Sequence, residues 1–383
     1  MRKALVNGRI ATDDRLIDHH AVLIEDGRIA DIVKDNDPEL NSVQIHDLQG
    51  LMLLPGFIDT QVNGGGGVQF NDAPTIDTIR RMGAAHAKFG TTGFLPTLIS
   101  DDLDVVSRAI DAVDGALREG VPGVLGIHLE GPFLSPVRKG VHDAAKFRTI
   151  DDQALALLTS LKRGKTLVTL APEMTTPEMI GRLAEAGVVV AAGHTNATYD
   201  DMQSAFRRGL TGFTHLFNAM SPLAGRAPGV VGAALINREA YCGIIVDGHH
   251  VHPDVLKLAL RTKPHDRFML VTDAWANIGT DLTAFQLQGE TIRVRDGVCV
   301  DERGVLAGSA MDMSRAVRNA MTLLGVSLAE ALTMASAAPA AFLGLDHDHG
   351  HIAKGFRANL VAADDNLTVR ATWIDGKPVF SAN

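Results

Sequence analysis

Residues 124–133 read VLGIHLEGPF. An apolar run carries the chain into a buried strand and ends by delivering a carboxylate, Glu130, into a turn made by Gly131 and Pro132. A carboxylate at the end of a buried strand is costly unless a cation or a functional partner compensates for it. His128 stands two residues earlier, so the two-residue strand period puts it on the same face as Glu130.

Outward from this stretch the same pattern recurs. Short apolar runs lie at 56–62, 92–99, 124–129, 166–170, 188–192, 212–216, 242–246 and 268–271. Helical periodicity fills most of the gaps, at 75–89, 103–118, 151–162, 177–186, 199–208 and 253–261, with two further helices expected at 313–324 and 328–343. Eight buried strands alternating with helices define an α/β chain and predict a parallel sheet closed into a (β/α)8 TIM barrel. A doubly wound open sheet is the competing arrangement, but no G-x-G-x-x-G follows the first strand. The two ends read as β. Asn7-Gly8, Asp26-Gly27 and Asp375-Gly376 are two-residue hairpin signals between strand-like runs. Neither end can bury a sheet face alone. Residues 1–53 and 355–383 are therefore expected to join into one small discontinuous β-sandwich domain, with the barrel spanning 54–354. A hairpin around Asp296-Gly297, residues 286–300, is inserted after the eighth strand.

Composition narrows the classes of function. The 383 residues are 46% hydrophobic and 21% charged, an ordinary globular profile rather than a disordered one. A formal charge of −9 argues against a nucleic-acid surface, whereas a small anion remains bindable through a few local cations. Two cysteines, Cys242 and Cys299, read as reduced core thiols, and a cytoplasmic protein is expected. The opening residues MRKALVNGRI lack the apolar core of a signal peptide, and no apolar run is long enough to span a membrane.

In a barrel of this kind the working groups sit at the C-terminal strand ends. Those ends carry Gln61 and Asn63, then Glu130, His194, His215, the turn Asp247 to His250, and Asp273. One such histidine is usually a hydrogen-bonded core residue; histidine or carboxylate at five of eight ends on one rim is not explained that way. Glu130, His194 and His215 form a three-ligand set suited to a catalytic zinc with an open position. Asp273 is the candidate general base and then general acid; a further metal ligand is its alternative role. The DHDHGH tract at 346–351 reads as a polar linker, and His19 and His20 as loop residues.

HLEGP at 128–132, AGHTNAT at 192–198, THLFNAM at 214–220, PGFIDTQVNG at 55–64 and LVTDA at 270–274 together resemble the N-acetylglucosamine-6-phosphate deacetylase family of the amidohydrolase superfamily. The resemblance runs almost end to end. It implies hydrolysis of the acetamide of N-acetylglucosamine 6-phosphate to glucosamine 6-phosphate and acetate, in amino-sugar catabolism and cell-wall sugar recycling. It implies Glu130, His194 and His215 as metal ligands, Asp273 as catalytic acid/base, and His142 as the group that polarises the acetyl carbonyl. Substrate contacts are implied at Gln61, Val141, His142, Asn218, Ala219, Arg226, Asp247, Gly248, His249, His250, Leu306, Ala307 and Gly308. It further implies a homodimer in which Arg226 and His250 reach across the interface to the phosphate. Many amidohydrolases carry His-x-His at the first strand end; here Gln61 and Asn63 stand there. Neutral amides are poor zinc ligands, so one divalent ion per subunit, zinc, is expected rather than two. The alternatives are another amidohydrolase activity, such as a cyclic-amide hydrolase or deaminase, and a non-catalytic scaffold. The implied partner is a small sugar phosphate, with no nucleic acid and no membrane.

Overall fold

The structure is a computed structural model that describes residues 2–382. Eight parallel strands form a nearly closed barrel: β1 (Phe57–Val62), β2 (Thr91–Ile99), β3 (Gly126–Glu130), β4 (Lys165–Leu170), β5 (Val189–Ala192), β6 (Leu210–Phe213), β7 (Tyr241–Ile244) and β8 (Phe268–Leu270). All eight apolar runs become strands, because a strand buried on both faces reads as an unbroken apolar run. Consecutive strands pair in parallel from β1 to β8, with register shifts in the β1–β2 and β5–β6 ladders. The return from β8 to β1 has no ladder of its own. It is made just beyond the strand, where Asp273 N–H donates to Gln61 O at 3.1 Å and Asn63 N–H to Ala274 O at 2.9 Å.

Helices cover the outside. The first, α1 (Ile76–Ala87), starts at Thr75, whose hydroxyl accepts from Thr78 N–H. The helix Leu103–Glu119 stops at Gly120, whose left-handed φ of 67° closes the last turn. The helix Gly229–Ile236 was not anticipated. Its sequence, GVVGAALI, is apolar all round and almost wholly buried, so it shows no amphipathic period to read. The two final helices expected as straight runs instead widen into π turns at Ala320–Leu324 and Thr333–Ala337.

The termini meet as expected, in the form of one eight-stranded sheet folded over its own core. Met52–Pro55 pairs antiparallel with Leu360–Ala363 and so joins the two ends of the chain. Leu5, Val22, Ile24, Leu53, Leu360 and Trp373 pack together inside this sheet. Leu54, Val361 and Val369 belong to the barrel's core. The strand period thus divides the sheet between two hydrophobic environments.

Two local readings are corrected. Asn7-Gly8 is not a hairpin turn: Lys3–Ala11 is one strand, and Asn7, with φ 56°, sits in a bulge where the register to Leu16–Glu25 slips. A side chain at Gly8 would meet Leu48 at 2.5 Å, so the glycine serves close packing rather than a turn. His19 and His20 lie in the strand Leu16–Glu25, not in a loop. The 346–351 tract is more than a linker. Asp348 is buried and accepts from Arg28 at 2.9 Å and Arg357 at 3.2 Å, tying the barrel's exit to the terminal sheet.

The inserted segment is larger than a hairpin. Ala284–Leu287, Glu290–Arg295, Val298–Val300 and Leu306–Ser309 form a four-stranded antiparallel sheet. It packs Phe285, Leu287, Ile292, Cys299 and Ala307 against Trp275 and Ile99 at the barrel mouth.

The glycine run at 64–67 makes a tight turn at the rim, with Gly64–Gly65 paired to Val68–Gln69. His86 of α1 is fully buried and donates through Nε2 to Gly64 O at 2.8 Å. Burial pulls this imidazole down to about 4. An unfolded histidine titrates near ~6.5, so below that pH the unfolded chain takes a proton that the native chain refuses. Stability contributed by neutral His86 is full above ~6.5 and is lost as the pH falls towards ~4. His86→Gln keeps a donor for Gly64 O and removes the titration. Denaturant unfolding followed through that window should show the variant gaining on the wild type as the pH falls. A stability difference that stays constant with pH would overturn the assignment.

Candidate active site

Each strand end aims its polar residue differently, and the backbone does much of the aiming. His194, His215 and Asp273 leave β5, β6 and β8 with φ of +47°, +34° and +50°. Side chains other than glycine rarely adopt this left-handed region, and such strain clusters where function needs a set geometry. The turns bring three atoms together. His194 Nε2 lies 3.1 Å from Glu130 Oε1, His215 Nε2 lies 3.0 Å from the same oxygen, and the two nitrogens are 3.0 Å apart. All three residues are buried, and among the described residues this is the only group of histidine, cysteine or acidic side chains found to converge in this way.

The triangle fits a divalent cation. Ligands ~2.0–2.1 Å from a tetrahedral ion lie about 3.3 Å from one another. One proton on one nitrogen cannot serve all three edges, whereas a central cation can. His194 Nδ1 is 2.9 Å from Arg138 O and must donate to it. That fixes the tautomer and leaves the Nε2 lone pair free for the centre. Burial alone would push the Glu130 carboxyl up; the two imidazoles beside it outweigh burial and hold it well below the usual range. Burial would pull His215 down, and the hydrogen bond and charge of Glu130 raise it instead.

Asp273 faces the same cavity. Its Oδ1 accepts from Asn63 Nδ2 at 2.6 Å and from Gln61 Nε2 at 3.2 Å. Gln61 Nε2 also donates to Glu130 Oε2 at 3.1 Å. A carboxylate can only accept here, so the amide nitrogens must face both acids. Burial, then the charge of Glu130, raise the Asp273 carboxyl above its ordinary value. His142 is buried with Nε2 4.0 Å from Glu130 Oε1. Ser100 N–H donates to its Nδ1 at 3.3 Å, so in the neutral ring the proton sits on Nε2. Burial, then the neighbouring His194, hold His142 well below the usual histidine range and keep it neutral.

These groups open into a cavity of about 160 Å3. Val141, Asn218, Ala219, His250, Leu306, Ala307 and Gly308 line it with the polar cluster. A larger cavity of about 300 Å3 lies elsewhere, between Asp13, Arg267, Asp346 and His351, and gathers no buried donor triangle.

Other expected substrate contacts fall differently. Gln61 lies beneath the cavity and ties the two carboxylates together. Asp247 is buried and organises its turn: Oδ1 accepts from His249 N–H at 2.8 Å and His250 N–H at 2.9 Å, and Oδ2 holds the His250 ring at 2.5 Å. Gly248 and His249 are exposed and do not line the cavity. His250, whose ring the Asp247 carboxylate holds, lines the cavity of its own chain. Arg226 is exposed at the tip of a tight turn closed by Ala224 and Ala227, and does not line this cavity.

Sequence reasoning missed Ile99, Gly140, Ile245 and Trp275, which also line the wall. Trp275 stands beyond the end of β8, past the left-handed Asp273, where no strand period signals its direction. Its Nε1 is buried with no partner among the described residues. Gly308 makes room for it: a Cβ there would lie 2.2 Å from Trp275 Nε1, at a φ of +124°.

A parallel barrel with a buried Glu/His/His triangle and an acid at the eighth strand defines a hydrolase of the metal-dependent barrel class. The chain belongs to the amidohydrolase family: residues 52–379 match the Amidohydrolase family, and residues 4–53 match the NagA composite domain. It is 44% identical to an N-acetylgalactosamine-6-phosphate deacetylase of Shewanella sp. (strain ANA-3), over 98% of this chain and 95% of that one. It is 36% identical to an N-acetylglucosamine-6-phosphate deacetylase of Haemophilus influenzae, over 98% and 99%. A crystal structure of N-acetylglucosamine-6-phosphate deacetylase from Pasteurella multocida matches all of both chains with a TM-score of 0.95 at 38% identity.

Two substitutions test the site. Glu130→Gln replaces the charged ligand by a neutral amide and should strip the purified protein of divalent metal while its circular dichroism is unchanged; full metal content would place the ion elsewhere. Gly308→Ala should leave metal content intact but cut turnover by about tenfold or more, since it displaces the wall beside Trp275 and Asp273. Wild-type turnover in that variant would mean the wall gives way freely.

Proposed function

We propose that this chain hydrolyses the N-acetyl group of N-acetylglucosamine 6-phosphate to acetate and glucosamine 6-phosphate, in amino-sugar catabolism and cell-wall sugar recycling. The observation that carries the reading is the Glu130–His194–His215 triangle facing Asp273 and neutral His142 across one small cavity. End-to-end relatives named as amino-sugar-6-phosphate deacetylases support it. The galactosamine epimer is the second reading, favoured by the 44% identity to the Shewanella protein.

Glu130, His194 and His215 would hold a divalent ion, which when bound would supply Lewis acidity to a water and to the acyl oxygen. Asp273 accepts the proton of the attacking water and returns it to the amide nitrogen as the C–N bond breaks. The raised affinity of its buried carboxyl for a proton suits both halves of that transfer. His142 presents Nε2–H to the acyl oxygen as negative charge grows there. Ile99, Trp275 and Leu306 exclude water around the acyl group.

A single ion, zinc, suits this donor set. Gln61 and Asn63 turn amide N–H groups towards the carboxylates where a second ion would need lone pairs. Asn218, Ala219 and His250 take the sugar phosphate within the chain. Arg226, on its projecting turn, reaches the phosphate of a partner subunit in a homodimer. A reducing cytoplasm is in keeping with Cys242 and Cys299, which are buried and unbridged. No helix among the described residues is long and apolar enough to cross a membrane.

Acetate release measured on both 6-phosphorylated epimers and on the unphosphorylated sugars tests the reading. The 6-phosphates should be strongly preferred. Equal hydrolysis of unphosphorylated N-acetylglucosamine would sink the roles of Arg226 and His250, and release of ammonia or opening of cyclic amides without acetate would favour the rival activities. Asp273→Asn should retain metal and lower kcat by about 10²–10⁴-fold; loss of metal would make Asp273 a ligand.

A further inference from the structure

Asp59 is a fully buried carboxylate that the reaction above does not use. It lies on β1, two residues before Gln61, and faces the β8 side of the barrel. Oδ1 accepts from Gln61 N–H at 3.2 Å and from Thr272 N–H at 3.3 Å, and Oδ2 accepts from the Thr272 hydroxyl. This is the seam where the barrel has no β ladder. Above it, the bonds from Asp273 N–H to Gln61 O and from Asn63 N–H to Ala274 O join the two rims. Below them, the Asp59 carboxylate makes the connection.

The two segments it grips are the ones that aim the base. Thr272 immediately precedes Asp273. Gln61 carries the amide that bridges Asp273 and Glu130. On the other side of the same backbone, Ser309 N–H donates to Asp273 O at 3.1 Å and Ser309 Oγ to Thr272 O at 2.5 Å. Asp273 is thereby held from two sides in its left-handed conformation, φ +50°. Such a conformation persists only where its surroundings over-determine it.

Burial makes an acid here costly and pushes Asp59 up to about 7. Its three hydrogen bonds offset that cost and tie the Thr272 and Gln61 backbones to one group.

We propose that Asp59 is a positioning residue for the deacetylation: it anchors Thr272 and Gln61 so that the Asp273 carboxylate is presented to the cavity in its working orientation. The inference rests on the proposed deacetylation, and wild-type acetate release in the same assay separates the two. An inactive wild type would remove that reading, whereas the inference itself is judged on the variants of an active enzyme.

Asp59→Asn keeps the shape and can no longer accept from all three donors. The expected result is a kcat lower by about 100-fold, with KM within about twofold. Metal content should match the wild type, and a crystal structure of the variant should show the Asp273 side chain displaced from Gln61 and Asn63. Unchanged kcat, or a loss of kcat that merely follows loss of metal or of fold, overturns the proposal. Thr272→Val removes only the hydroxyl and guards against an unfolded Asp59→Asn. It should lower kcat by about tenfold with KM and metal retained, and an unaltered kcat would again overturn the proposal.

Discussion

Two imidazole nitrogens and a carboxylate oxygen sit about 3 Å apart in the buried mouth of the barrel. Left to themselves, three lone-pair donors at that spacing repel, and a single shared proton cannot satisfy them. The rest of the rim is arranged around this demand for a cation. Arg138 O fixes the tautomer of His194, and the left-handed turns after β5 and β6 aim both rings inward. A barrel is well suited to holding such a cluster, because each donor stands at, or two residues beyond, the end of a separate strand of one rigid sheet.

A second layer of polar contacts keeps the acids in register. Gln61 holds Glu130 and Asp273 through one amide nitrogen, and Asn63 holds Asp273 through another. Where related barrels place two imidazoles, this chain places hydrogen-bond donors. The two amides form a frame that orients the Asp273 carboxylate. Below the frame, His128 is buried and bonded to Thr97 at 3.1 Å and Thr169 at 2.7 Å, so it supports β3 from within rather than taking part at the mouth.

Much of this was readable in advance, for reasons particular to each element. The eight strands announce themselves as short apolar runs because both faces are buried, and their ends carry chemistry because the loops beyond them face the mouth. Helix Gly229–Ile236 did not announce itself, since a helix apolar on every side has no period. Asn7-Gly8 misled because a glycine needed for packing against Leu48 has the same letters as a glycine needed for a turn. Gln61 shows what a strand-end position leaves open: it lies beneath the cavity, and its amide points at the two acids that line it. His250 was legible as a site residue, but the Asp247 contact that holds its ring beside the cavity is a side-chain arrangement no local pattern announces.

The sequence by itself determined the order of strands and helices, the rim on which the chemistry gathers, and the identity of the three donors and the acid. These depend on period and on residue type, which are local properties of the chain. Only the tertiary structure decided which donors meet within bonding distance, which nitrogen of each histidine is free, and that amides rather than imidazoles brace the acids. It also decided that Asp59 and Thr272 close the barrel beside Asp273. Those outcomes depend on backbone turns of positive φ and on contacts between residues as many as 213 positions apart. Separations of that size carry no periodic signal, so they become visible only when the first and last strands lie side by side.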